Sequence, residues 1–137
     1  MKSLVNRWKA ATLSVSLMSV LLSGCAGSLD KAKQTAAMSQ QVYTSVEGET
    51  VKQMTEIVEK DKNGTITQED RKRLSMLNDL RKLLDQFAGL HNAFVASVKV
   101  WETTAKKPAD INDLSAQMIG LIQRAQDLAK QLGIRLR

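Results

Sequence analysis

The chain has 137 residues, a formal net charge of +6, one cysteine and one histidine. That inventory excludes an intramolecular disulfide, a two-histidine metal site and a triad with histidine as base. Aromatic residues make up only 4% of it, while Ala, Leu, Gln, Lys and Met are common, a balance that favours long helices over sheets.

The first nine residues carry Lys2, Arg7 and Lys9 and no acid, and an uncharged run follows from Ala10 to Leu22. This is the n-region and h-region of a secretory signal. The run falls short of the ~20 apolar residues a spanning helix needs, and Thr12, Ser14, Ser16 and Ser19 interrupt it. Export followed by cleavage is the expectation.

The run ends in Leu22-Ser23-Gly24-Cys25. With the basic start and the short apolar stretch before it, this string resembles the lipobox of bacterial lipoproteins. The resemblance implies that residues 1–24 are a cleaved signal peptide and that Cys25 becomes the new N-terminus, with acyl chains such as palmitate on it. Residues 25–29 are then the lipidated tether. Each buried acyl CH2 contributes ~0.8 kcal/mol, so two or three chains anchor a protein essentially permanently. In Gram-negative members of the family an Asp after the lipidated Cys favours the inner membrane, and here Ala26 stands in that place. The implied address is the outer membrane, facing the periplasm.

Cleavage removes three basic residues, which leaves 17 basic and 14 acidic residues, a net charge of +3. So mild a charge, in that compartment, excludes nucleic acid as the expected partner. The remaining residues suffice for one small domain, expected over 30–133.

The first helix is expected over about 30–62. Leu29, Ala36, Tyr43, Thr50 and Ile57 recur every seven residues, with Ala32, Val46, Met54 and Val58 on the same side. Gly48, between Glu47 and Glu49, is its candidate break, since glycine costs ~1 kcal/mol relative to Ala in a helix interior. Asn63-Gly64 is a turn signal, and Thr67 with Asp70 has the form of a capping box that opens a second helix over 68–105.

That second helix reads in heptads beginning at Leu74. Leu77, Leu84, His91 and Val98 occupy one core position, and Leu80, Phe87, Phe94 and Trp101 the other. Lys106-Lys107-Pro108 ends it, because the residue before proline is pushed out of the helical region. Asp110 has the character of an N-cap for a third helix over 111–132, with Ile111, Leu114, Met118, Leu121, Ala125, Leu128 and Leu132 at spacings of three and four, and Gly133 as a left-handed stop. The expected fold is all-α: an antiparallel three-helix bundle, or a long helical hairpin with a shorter third helix.

Helix two would be ~60 Å long and helix three ~35 Å. The shorter helix cannot cover the longer, so part of the stripe stays open unless helix one covers it or a second copy or another protein packs there. Leu77, Leu84, Phe87, His91, Phe94, Val98 and Trp101 are therefore the candidate interface, for self-association or an envelope protein.

Residues 59–70 carry the one motif with chemistry in it. Aligned on Gly64, they resemble an EF-hand calcium loop, with Glu59, Asp61, Asn63, Thr65 and Asp70 at ligand positions and Ile66 at the apolar eighth. Glu59 replaces the usual Asp, Asp70 replaces the bidentate Glu, and Lys60, Lys62, Arg71, Lys72 and Arg73 surround the loop. The resemblance implies at most a weak calcium or magnesium site. The competing reading is a polar interhelical turn.

No phosphate loop, nucleophile elbow or Cys/His zinc spacing occurs, so a non-enzyme with no cofactor is expected. The chain resembles, in style rather than motif, the small helical lipoproteins of bacterial envelopes and of their prophages and plasmids. A membrane-anchored structural or interaction protein is the first functional expectation, and a weak calcium- or magnesium-binding module the second.

Overall fold

The structure is a computed structural model that describes residues 27–135. Three helices follow in chain order, α1 (Leu29–Lys62), α2 (Gln68–Thr104) and α3 (Ile111–Gln131), with no strand among the described residues. The architecture is the expected all-α three-helix bundle. Successive helices run antiparallel: His91 on α2 reaches the Ala36 carbonyl near the start of α1, while Arg73 at the other end of α2 reaches Gln53.

Ser28 starts α1 from extended backbone, its hydroxyl accepting the Lys31 N–H at 3.2 Å, and Asp30 in the first turn suits the positive helix end. The helix then runs unbroken through Gly48 to Lys62, so the candidate break is not realised. The physical reason lies on its flanks. Val46 and Thr50 are both buried on the core side, and Gly48 itself faces solvent, where the propensity cost of ~1 kcal/mol is offset by that packing.

The polar residues in the α1 stripe satisfy themselves. Thr50 donates its hydroxyl to the Val46 carbonyl at 2.7 Å, and Ser39 donates to the Thr35 carbonyl at 2.7 Å. Both side chains are thereby buried without an orphaned group. Val58, expected on the core side, is 43% exposed, and Ile57 takes the buried place beside it.

The start of α2 is the capping box its sequence predicts. Thr67 Oγ1 accepts the Asp70 N–H at 3.1 Å, and Asp70 Oδ2 accepts the Thr67 N–H at 3.0 Å. At its other end Ala105 adopts left-handed backbone (φ 56°), closing the helix before the Lys-Lys-Pro stop is reached.

Asp110 takes the N-cap position of α3 as expected, its carbonyl accepting the Leu114 N–H at 3.0 Å, but it caps without its side chain. Its backbone is already right-handed helical and its side chain makes no capping bond. The Oδ1 atom instead accepts the Ser97 hydroxyl at 2.9 Å, so the carboxylate serves the α2–α3 contact. Gly133 ends α3 as predicted: at φ 70° it lets Ile134 donate to the Ala129 carbonyl at 2.9 Å and its own N–H donate to Lys130 at 3.0 Å. Ile134 folds back into the core.

The central element is α2, which packs closely against both neighbours, while α1 and α3 approach each other more loosely. Phe87 and Phe94 are fully buried between them, Phe87 stacking on Tyr43 at 5.5 Å and against the His91 ring at 5.6 Å. Each such side chain stabilises the fold by roughly 1.5–3 kcal/mol. Arg73 clasps one end, donating to Gln53 Oε1 at 2.7 and 3.1 Å and to the Leu132 carbonyl, so that one guanidinium ties all three helices.

Candidate functional site

The α2 stripe is core, not surface. Leu77, Leu84, Phe87, Phe94 and Val98 are all buried within the single chain, and only His91 and Trp101 keep partial exposure. This corrects their assignment as a partner interface. Of the alternatives the length argument left open, cover by the first helix is the one realised: α1, at 34 residues, nearly matches the 37 of α2 and covers what the 21 of α3 leave. His91 is also committed, its Nε2 lying 3.0 Å from the Ala36 carbonyl.

The turn at 59–70 takes the polar-turn form. Because α1 continues to Lys62, Glu59 and Asp61 stand two residues apart on a helix, about 200° around its axis, and do not converge. Only Gly64 adopts left-handed backbone, with φ 67°. Thr65 closes the turn by donating its N–H to the Lys60 carbonyl at 2.8 Å. Glu59 pairs with Lys62 at 3.0 Å.

Asp70 is engaged by three donors within the protein. Its Oδ1 accepts from Lys60 Nζ at 2.9 Å, and its Oδ2 accepts both the Thr67 N–H and the Thr67 hydroxyl, at 3.0 and 2.9 Å. The Lys60 bond first, then the two Thr67 bonds, pull its carboxyl from 3.8 to about 2. Glu59, Asp61, Asn63, Thr65 and Asp70 are thus not assembled into a ligand set, and no group of three His, Cys, Asp or Glu side chains placed to hold a metal ion occurs among the described residues. The residues present do not fit calcium or magnesium.

Two surface features escaped the heptad reading. A groove of about 790 Å³ opens between α2 and α3, over Leu90 and Leu121, with Gly89 and Gly120 in its walls and Arg124 on its rim. The signal for it was two helical glycines for which the fold has no steric need, since a methyl group at either meets nothing. The other feature is the end of the bundle where α1 begins and α2 stops. There Lys33 pairs with Glu102, and Lys107 lies over the Trp101 ring at 5.7 Å.

The signal segment, Leu22, Ser23, Gly24 and Cys25 lie outside the described residues. Among the described residues no helix is long and apolar enough to cross a membrane. No family model, curated protein or solved structure matches the chain. The functional reading therefore rests on the residues themselves.

Proposed function

We propose that the protein is a non-catalytic, lipid-anchored helical module of the bacterial cell envelope, held through acylated Cys25 on the periplasmic side of the outer membrane. The observation that carries this reading is the Leu22-Ser23-Gly24-Cys25 string, which follows a basic start and a short uncharged run. A helical domain whose first helix starts at Leu29 supports it, because only a few residues separate the anchor from the fold. The bundle is a rigid body that holds or spaces an envelope component, and its partner surface lies outside the buried α2 stripe.

The test is metabolic labelling of the full chain with palmitate in a bacterial host. Label on the protein, release of residues 1–24, and loss of both with Cys25→Ser are expected. Export and cleavage with no label on Cys25 overturn the anchor.

A further inference from the structure

We infer that the end of the bundle formed by the α2–α3 connection and the first turn of α1 is a second, non-covalent membrane contact, made to an anionic bilayer surface. The inference rests on the anchoring reading for its proximity. Leu29 follows Cys25 by four residues, a reach of at most about 14 Å of extended chain, so an acylated Cys25 brings this end to the headgroups.

Charge is concentrated there. Residues 27–33 and 99–110 hold five lysines against Asp30, Glu102 and Asp110, a net +2, whereas all other described residues sum to zero. Glu102 is neutralised by Lys33, which leaves Lys31, Lys99, Lys106 and Lys107 exposed. Of these acids, Asp110 is held back from the tip. The Ser97 hydroxyl pins Asp110 seven residues before the end of α2 at Thr104, about 10 Å from the tip.

The apolar part of an interfacial contact is present as well. Val100 is 52% exposed and Trp101 is half-buried beside Lys107. Tryptophan favours the headgroup level, and lysine stems lie along apolar surface while their ammonium groups reach phosphate. A patch of this size gives reversible binding that orients a tethered protein, with lysines drawn to anionic lipid within a Debye length.

The experiment uses the unlipidated fragment 26–137, which holds the entire core from Ala32 to Ile134. Its only tryptophan is Trp101. At low salt it is expected to sediment with phosphatidylglycerol-rich vesicles and to show a blue-shifted Trp101 emission, and to do neither with phosphatidylcholine vesicles. Lys106→Ala with Lys107→Ala lowers partitioning about 25-fold, at about fivefold per charge. Lys82→Ala with Lys130→Ala, the same charge loss on surfaces away from this end, leaves it within about twofold. Absence of sedimentation, equal binding to neutral vesicles, or an equal loss from the second pair overturns the proposal. Because the fragment lacks Cys25, this outcome is independent of whether the full chain takes up palmitate.

Discussion

Thr67 and Asp70 satisfy each other across the first turn of α2, each accepting the backbone N–H of the other, and Lys60 reaches across from α1 to the same carboxylate. Ionised Asp70 is therefore tied to the folded state, with its carboxyl drawn down to about 2. A folded-state value below the unfolded one contributes stability above the unfolded value, and that contribution disappears as pH falls from about 4 towards 2. The melting temperature of Asp70→Asn should lie below that of the parent at pH 6, and the two should converge over that acid range. Parallel curves down to pH 2 would contradict the assignment.

The same engagement predicts indifference to divalent cations. Millimolar calcium or magnesium should leave the thermal midpoint of the helical domain unchanged, and Asp61→Ala should be near neutral, since Asp61 is exposed on the last turn of α1. A calcium-dependent rise abolished by Asp61→Ala would restore the calcium loop.

Two glycine-to-alanine exchanges should act in opposite directions. Gly48 is helical and exposed, and an added methyl meets nothing, so Gly48→Ala should stabilise by ~1 kcal/mol. Gly133 stands at φ 70°, where a side chain is strained, and Gly133→Ala should destabilise by roughly 1–2 kcal/mol. Thermal melts followed by circular dichroism at 222 nm read both as shifts of several degrees.

Truncating the α2 stripe should affect folding rather than association. Phe94 is fully buried, and Phe94→Ala should cost about 3–5 kcal/mol, a large share of a small domain's stability. Sedimentation velocity of the folded fraction should match the parent. A stable variant with an altered oligomeric state would return the stripe to the surface.

What was legible in the sequence was local. The Thr67–Asp70 box spans three residues, Gly133 requires only its own backbone, and the heptads identified Leu77, Leu80, Leu84, Phe87, Phe94 and Val98 as inward-facing. Periodicity states which side chains need cover, but it does not state what supplies that cover. The stripe of α1, diluted by Ser39 and Thr50, left that choice open, and α1 supplies the cover because hydroxyls bonded to their own helix pack at little polar cost. The calcium-like spacing misled for a related reason. Aligning residues on Gly64 presumes that the chain before it has left the helix, and here α1 holds its geometry to Lys62. At Asp110 the tertiary partner Ser97 displaced a local role that the residue type favours.

The clasp at Arg73 also sets a stand-off distance. An odd number of helices carries the chain from one pole of the bundle to the other, and Arg73 fastens the Leu132 carbonyl at the level of Gln53 on α1. Gln53 lies 24 residues along α1 from Leu29, ~36 Å away. A reporter joined after Arg135 would thus be carried well clear of the pole where α1 begins, and fluorescence transfer between the two sites would measure the bundle as a ruler.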